Sequence, residues 1–450
     1  MRLIFALLIV AQSCWAGPDQ TVIVDIHGIG PSKLAQLRDH PSVSWSAEFG
    51  NELLLGVSDD HWGQWLARPD THAGPGPMRF SEVVVRDHVC TLHDHEPSLA
   101  VIGGYEVLRK PATLARATRG AMIPGEPLPP DGVVAREVNN EMTPVVRGNS
   151  NPEVQALVDR VNADRWFATL STLAGFDRNS FNPDLSQAHD WIQTQFAQAG
   201  LQTASFPFQL DGAVCSPPRP SVNLANPIGI KSGTDLASEW VVVGAHYDAR
   251  NANRCDGAAS PQPGANDNGS GCAGVIELAR VMQTADTRRS IVFICFAGEE
   301  QGLVGSRRYV ESLQVGGQIA QVRYMLNLDM IGHAVDDSLS ARVETLAVFS
   351  SELNRYAQAA ATYAPELNLI TSSATQAYSD HWYFLNAGVP GVFTWENGAA
   401  IYPQYHQSGD RPENMLRARP LAAGILKMDV AILVEEAALS TLFRDSFESP

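Results

Sequence analysis

Acidic and histidine side chains follow the apolar runs of this sequence at the points where the runs end. "WVVVGA" is followed by His246 and Asp248, "IVFICFAG" by Glu299 and Glu300, and "RYMLNL" by Asp329. Imidazole nitrogens and carboxylate oxygens are zinc ligands. If these runs are neighbouring strands, the side chains meet beyond the carboxyl ends of the strands, where open α/β sheets bind ligands. The pattern predicts a metal site at that edge.

Two further candidate ligands lie in loops. Asp267 is in "PGANDNGSG" and His406 is in "QYHQSGD". One catalytic zinc needs three protein ligands, so two histidines, two aspartates and one glutamate exceed what one ion requires. Five ligands with one bridging carboxylate suit two ions that share a water. Each residue alone has a plainer interpretation, since an aspartate at a helix start is often a cap and a loop histidine is usually solvated.

The adjacent Glu299 and Glu300 can have two different roles. A two-metal site also needs a carboxylate that binds no metal, takes a proton from the attacking water and passes it to the leaving group. Consecutive side chains at a strand end diverge, so one glutamate can face metal and its neighbour the water. The residues alone leave open which does which. The alternative is an acidic helix N-terminus, which the helix dipole favours.

The elements that position these side chains alternate between strand and helix from about residue 150. Residues 151–175 have apolar residues three and four apart and predict a helix, and 185–200 predict a second, amphipathic helix. Near-continuous apolar runs then alternate with helical segments such as "GVIELARVM". This predicts the α/β class, with a largely parallel sheet covered by helices on both faces.

A separate unit is expected before this domain. Residues 17–145 contain short alternating apolar runs divided by turn-rich pieces, typical of a small β-rich or α+β domain. The Pro- and Gly-rich stretch 123–132 predicts a linker or processing region. We expect a catalytic domain over 146–442 and an exposed tail over 443–450. The N-terminal domain is a candidate propeptide; the alternative is a permanent accessory domain.

Residues 1–16 have the features of a secretory signal peptide. Arg2 precedes the apolar run "LIFALLIVA", and small Ala16 precedes Gly17. The alternative is a buried N-terminal strand. The run is too short to span a bilayer and no later segment is long enough, so a secreted or periplasmic protein with no membrane span is expected. A formal net charge of −17 argues against nucleic acid as a partner, since nucleic acid rewards clustered lysine and arginine.

Five cysteines follow the predicted signal peptide: Cys90, Cys215, Cys255, Cys272 and Cys295. An odd number leaves at least one free in an oxidising compartment. Cys295 lies in an apolar run and Cys272 opens a predicted helix, so both are expected to be core thiols. Cys215 and Cys255 lie in Pro-, Gly- and Asn-rich loops and are expected to pair.

Six ordered motifs resemble the zinc-dependent aminopeptidase family typified by secreted bacterial leucyl aminopeptidase. They are "GAHYDA", "GANDNGSG", "FAGEEQGLVGS", "NLDMIG", "SDHWYFLNAGVP" and "YHQSGD", and they fall within roughly residues 150 to 440. The resemblance implies a twisted, mostly parallel central sheet flanked by helices and two zinc ions per catalytic domain. It further implies that His246 and Glu300 bind one zinc, that Asp329 and His406 bind the other, and that Asp267 bridges them.

The resemblance also implies which residues carry the proton chemistry. Glu299 is the general base and acid, with zinc-bound hydroxide as the nucleophile. Asp248, two residues after His246, is the carboxylate that fixes the imidazole tautomer.

The chain departs from the family near the substrate pocket. Close relatives carry a tyrosine just before "SDH", within a short disulfide loop, that binds the tetrahedral intermediate. Here the segment is "SSATQAYSDH", so Gln376 stands at that position, and Tyr378 takes over the role or simply packs nearby. Phe393 and Trp395 fall on the family's substrate side-chain pocket, where aromatic walls favour apolar N-terminal residues. The alternative is that both rings belong to the core.

These observations predict a secreted, monomeric two-zinc aminopeptidase acting on peptide or protein N-termini. Relatives with nearly the same ligands act as carboxypeptidases or cyclise N-terminal glutamine, and the ligands do not separate these activities. A binding module without catalysis is disfavoured, because intact ligands with no metal to serve are costly buried charges. Manganese or cobalt can also occupy carboxylate-rich sites.

Overall fold

The computed structural model of the 450-residue chain has short strands and two helices in its first third and a large α/β domain after them. It describes residues 19–26, 31–50, 52–68, 70–87, 99–102, 105–109, 126–127, 133–136, 148–215, 217–251, 253, 255–257, 261–374, 379–396 and 402–439.

The N-terminal part is an α+β unit, as predicted. Its elements are β1 (Gln20–Asp25), α1 (Pro31–Arg38), β2 (Val43–Gly50), β3 (Glu52–Val57), α2 (Asp59–Leu66), β4 (Thr71–Ala73), β5 (Val83–Asp87), β6 (Ala100–Ile102), β7 (Tyr105–Arg109), β8 (Glu126–Pro127) and β9 (Val133–Arg136). One sheet has the order β4-β1-β3-β2-β9 and the other β6-β7-β5-β8. The first six elements follow the split βαβ pattern. Leu37 of α1 and Trp65 of α2 pack against Val22 and Leu53 on one face of the first sheet.

The α/β domain is built on a single eight-stranded sheet. Its strands are β10 (Gln202–Leu210), β11 (Val222–Lys231), β12 (Leu236–His246), β13 (Arg289–Phe296), β14 (Val322–Leu328), β15 (Ser340–Leu346), β16 (Asn368–Ala374) and β17 (Gly391–Glu396). The order is β10-β11-β13-β12-β14-β17-β15-β16. The four central strands β13, β12, β14 and β17 are parallel, whereas β10–β11, β11–β13 and β15–β17 are antiparallel pairs. The predicted α/β fold is confirmed, with a parallel centre and a mixed periphery.

Helices cover both faces of this sheet. They are α3 (Pro152–Val158), α4 (Ala163–Leu173), α5 (Leu185–Gln198), α6 (Gly271–Met282), α7 (Val304–Val315), α8 (Ser351–Tyr363), α9 (Trp382–Asn386) and α10 (Ala418–Glu436). Val241 and Val243 share a core with α4, α6 and α10, whereas Val242 belongs to a second core with α7 and α9. Successive strand residues face opposite sides, so a strand covered twice must be apolar throughout, which explains the continuous runs.

The helix predicted over 151–175 is two helices. The side chain of Asn162 accepts a hydrogen bond from the Arg165 backbone N–H (2.8 Å) and starts α4 after α3 has ended. This is a capping interaction that the apolar spacing does not reveal. The second predicted helix is confirmed as α5, and Gly200, with φ of +73°, follows it.

The cysteine predictions have mixed outcomes. Cys215 and Cys255 form a disulfide, as expected. The expectation that Cys272 and Cys295 are core thiols is wrong, because α6 packs on β13 and brings the two into a second disulfide. Cys90 lies outside the described residues.

Both ends of the chain, including the predicted signal peptide 1–16 and the tail 443–450, lie outside the described residues. Within the described part, no helix combines the length and apolar character needed to cross a membrane.

A buried carboxyl on α10 makes stability depend on pH. Asp429 is fully buried, where its Oδ2 lies 3.3 Å from Thr394 Oγ1, and burial raises its pKa well above the usual range. The Asp429 carboxyl of the folded protein therefore keeps a proton that the same group releases at about pH 4 in the unfolded chain. This stabilisation is complete below that pH and is lost as pH rises towards the folded-state pKa.

Asp429→Asn should therefore gain stability relative to wild type as pH rises, by up to about 1.4 kcal/mol of unfolding free energy per pH unit. Thermal unfolding of both proteins at pH about 5 and about 8 measures the change. A melting-temperature difference that is the same at both pH values would contradict the role of this proton.

Candidate metal centre

Three neighbouring parallel strands deliver side chains to one edge of the sheet. His246 ends β12, Glu299 and Glu300 follow β13, and Asp329 follows β14. His246 Nε2 lies 3.4 Å from Asp329 Oδ2 and 3.8 Å from Glu299 Oε2. The predicted convergence of strand ends is therefore present.

Asp267 lies between the two histidines. Its Oδ1 is 3.2 Å from His246 Nε2 and its Oδ2 is 2.9 Å from His406 Nε2. Asp267 comes from the segment Ala265–Ser270 that precedes α6, and His406 comes from a loop before α10. One carboxylate thus presents one oxygen to each imidazole, which is the arrangement a bridging ligand requires.

The contacts also allow a division of the ligands that differs from the predicted one. His406 Nε2 is 3.3 Å from Glu300 Oε2, and His246 is next to Asp329. The expected pairing was His246 with Glu300 and Asp329 with His406. His246, Asp267 and Glu300 lie close enough to hold one ion, as do His246, Glu299 and Asp329, so the expected pairing stays a prediction.

The side chains fit metal ions because several of their polar atoms are buried without a hydrogen-bond partner. His246, Glu299 and Glu300 are fully buried, and Asp267 and Asp329 are 3% and 6% exposed. Among the described residues, His246 Nε2, Asp329 Oδ1 and both carboxylate oxygens of Glu300 have no hydrogen-bond partner. Several buried carboxylates without cations are strongly unfavourable, so bound cations would stabilise this cluster.

The pKa values of the two glutamates reflect this environment. Burial raises the pKa of Glu299 well above its usual range, and the nearby carboxylates of Glu300, Asp380 and Asp329 raise it further. Burial also raises the pKa of Glu300. Both shifts follow from the removal of these carboxyl groups from water.

Asp248 holds the turn that carries both glutamates. Its Oδ1 accepts the Glu299 N–H (3.2 Å), and its Oδ2 accepts the Glu300 N–H (3.3 Å) and the Ser180 hydroxyl (3.0 Å). The Nδ1 atom of His246 lies 3.1 Å from the main-chain oxygen of Asp248 and 3.7 Å from its carboxylate, so the role of that carboxylate in orienting His246 stays a prediction. The carbonyl accepts the Nδ1 proton, which leaves Nε2 for a metal.

Sequence reasoning did not find Asn327 and Ser379. The Ser379 hydroxyl donates to Asp329 Oδ2 (2.7 Å) and accepts from Asn327 Nδ2 (3.0 Å), which fixes the direction of the Asp329 carboxylate. Both residues lie inside the motifs "NLD" and "SDH". The available signals were the position of Asn327 two residues before the candidate ligand Asp329 and the position of Ser379 directly after the candidate pocket residue Tyr378.

The predicted substrate pocket is only partly described. Tyr378 and Gln376 lie outside the described residues. Phe393 stacks on Trp395 with ring centroids 5.4 Å apart and on His381 at 5.1 Å. Phe393 is in register with Asn327 on the neighbouring strand, two residues before Asp329. The aromatic stack therefore lies beside the strand end that carries a ligand, and its role in substrate binding stays a prediction.

The sequence is similar to those of known peptidases. Residues 226–427 match the sequence pattern described as Peptidase family M28. The chain is 33% identical over 206 residues to "Aminopeptidase YwaD" of Bacillus subtilis (strain 168), covering 45% of this chain and 42% of that protein. It is 30% identical over 197 residues to a "Probable zinc metalloprotease" of Pyrenophora tritici-repentis, covering 41% and 40%. The matches thus span about two fifths of the length of these relatives.

The fold also resembles that of a solved structure. The LapA aminopeptidase of Legionella pneumophila superposes with a TM-score of 0.53 at 23% identity, over 65% of this chain and 77% of that one. At that identity the likeness concerns the fold.

Proposed function

We propose that the protein is a two-zinc aminopeptidase that removes residues from the free N-termini of peptides, since residues 226–427 match the pattern described as Peptidase family M28. The observation that carries the proposal is the position of Asp267, which offers one carboxylate oxygen to His246 and the other to His406. A carboxylate that presents its two oxygens to two different imidazoles suits a site for two ions rather than a site for one.

The proposed ligands form two sets around Asp267. His246 with Asp329 would hold one ion, and His406 with Glu300 would hold the other. When bound, such ions polarise a substrate carbonyl and lower the pKa of a water between them. Zinc suits the nitrogen and oxygen donors of the set, and the names of relatives as zinc metalloproteases support it.

The chain itself would supply proton transfer and orientation. Glu299 would accept the proton of the attacking water at a carboxylate oxygen and return it to the departing amine. Asp248 holds the Glu299 N–H, and so fixes the start of that side chain. Ser379 fixes the Asp329 carboxylate.

The stacked rings of Phe393 and Trp395 support a preference for apolar N-terminal residues, because apolar walls favour apolar side chains. The signal-peptide pattern of residues 1–16 supports an exported enzyme.

A panel of aminoacyl nitroanilides tests this proposal. We expect hydrolysis that is fastest for leucine-like residues, is abolished by a chelator and is restored by zinc. The same peptide with and without a blocked amino group provides the control, and only the unblocked form should be cleaved. Removal of residues from the C-terminus would indicate a carboxypeptidase, and cyclisation of N-terminal glutamine without hydrolysis would indicate a cyclase. Either result would replace the aminopeptidase proposal.

A further inference from the structure

We propose that Arg178 and Asp410 are positioning residues of the metal centre. Arg178 holds the carbonyl groups at the start of the loop 263–267, Asp410 holds the amide groups at its end, and together they set how tightly zinc binds. The inference rests on the proposed role of Asp267 as the bridging ligand. Neither residue was a candidate in the sequence, and Arg178 lies outside the segment that matches the family.

Arg178 holds the start of this loop by its carbonyl groups. The guanidinium is fully buried. Its Nη1 donates to the Pro263 carbonyl (2.7 Å) and its Nη2 to the Gly264 carbonyl (2.6 Å). Its Nε donates to the Tyr247 carbonyl (2.7 Å), which directly follows the ligand His246. One side chain therefore connects the loop of the bridging carboxylate to the end of β12.

Asp410 holds the rest of the loop by its amide groups. Asp410 is 1% exposed. Its Oδ1 accepts the Asn266 N–H (2.8 Å), its Oδ2 accepts the Asp267 N–H (2.9 Å), and its main-chain oxygen accepts the Ala265 N–H (3.0 Å). Asp410 lies four residues after His406, so it also connects the loop that carries His406 to the loop that carries Asp267.

The two side chains match the polarity of the groups they hold. A guanidinium has only donors and an ionised carboxylate only acceptors. The loop presents two consecutive carbonyls, those of Pro263 and Gly264, to the guanidinium and two consecutive amides, those of Asn266 and Asp267, to the carboxylate. No exchange of either residue for a neutral one satisfies all of these backbone groups. The opposite charges also compensate each other inside the protein.

The loop has little freedom to take another path. Gly264 has φ of +44°, and a Cβ there would lie 2.3 Å from Ala249 Cβ and 2.4 Å from the Asp267 carbonyl oxygen. A loop held this closely fixes the direction of Asp267 only while its hydrogen-bond partners stay in place. Because Arg178 and Asp410 contact the ligand loops through backbone groups, their effect on the metal is indirect.

The test measures zinc affinity of the full-length protein by competition with a chromophoric chelator, without any peptide substrate. Asp410→Asn keeps the shape but replaces one acceptor with a donor, and we expect it to weaken zinc binding about 10- to 100-fold. Arg178→Lys keeps the charge but cannot reach the separated carbonyls, and we expect a loss of about tenfold or more. The matched control is Asp429→Asn, the same change at another fully buried aspartate, which should bind zinc like wild type.

A second measurement separates positioning from a general loss of structure. Cobalt-substituted Asp410→Asn should show a visible absorption spectrum different from that of wild type, while the metal-free variant melts near the metal-free control. Zinc affinity within about twofold of wild type in either variant would overturn the proposal. Failure of both variants to fold, with the control folded, would also overturn it, because the pair would then serve the fold. If wild type binds zinc tightly but cleaves no peptide, the proposed function fails and this inference stands.

Discussion

Glu299→Gln should bind zinc like wild type and hydrolyse an aminoacyl nitroanilide about 10²- to 10⁴-fold more slowly, which is the range that a positioned general base contributes. Glutamine fills the same space but accepts no proton. Glu299 is not in the proposed ligand sets, and its nearer oxygen is 3.8 Å from the nitrogen of His246. The loss should therefore fall on kcat, with metal content unchanged.

The control for this prediction is Glu277→Gln. Glu277 is also fully buried in the same domain, where it pairs with Arg165, away from the site. It should show normal turnover at a temperature where the protein is folded. Metal content and kcat are measured on the same samples. If Glu299→Gln keeps near wild-type turnover, Glu299 is not the base; if it loses zinc, it is a ligand.

The strand ends and the ligand types could be predicted from the sequence. A strand covered on both faces is apolar throughout, so the point where His246 or Asp329 interrupts the pattern marks the sheet edge. The parallel β13, β12 and β14 then bring those points together. Their order in the sheet was not visible, but any order of neighbouring parallel strands gives a common edge.

The proposed division of ligands between two ions could not be predicted in the same way. It depends on the side-chain direction of Glu300, and adjacency to Glu299 indicates only that the two diverge. Asp248 holds the backbone of both glutamates through their two amides, and these contacts join positions 51 and 52 residues apart.

Arg178 and Asp410 were missed for a related reason. Their partners are backbone groups, which every residue carries, so no residue type in the loop 263–267 indicates them. The contacts join positions 85 to 144 residues apart. The pairing of Cys272 with Cys295 was likewise hidden, because it depends on how α6 packs on β13. A buried charged residue whose hydrogen-bond partners are all backbone groups can be recognised only when the folded structure is known.

Asp267→Ala should lose most of both zinc ions, whereas Asp329→Ala should lose about one of the two, because a bridging carboxylate serves both ions and a terminal ligand serves one. Asp267 contacts both histidines, and Asp329 contacts His246. Removing the bridge leaves each ion with two protein ligands, below the three that a catalytic zinc needs. Activity should vanish in both variants.

The difference in metal content, rather than in activity, distinguishes the bridge from a terminal ligand. The two proteins are dialysed against the same low zinc concentration, and zinc per chain is measured by elemental analysis. Equal losses of about one ion in the two variants would mean that Asp267 serves a single ion. The carboxylate oxygen on the His406 side would then need another role, and the two-ion proposal would fail with it.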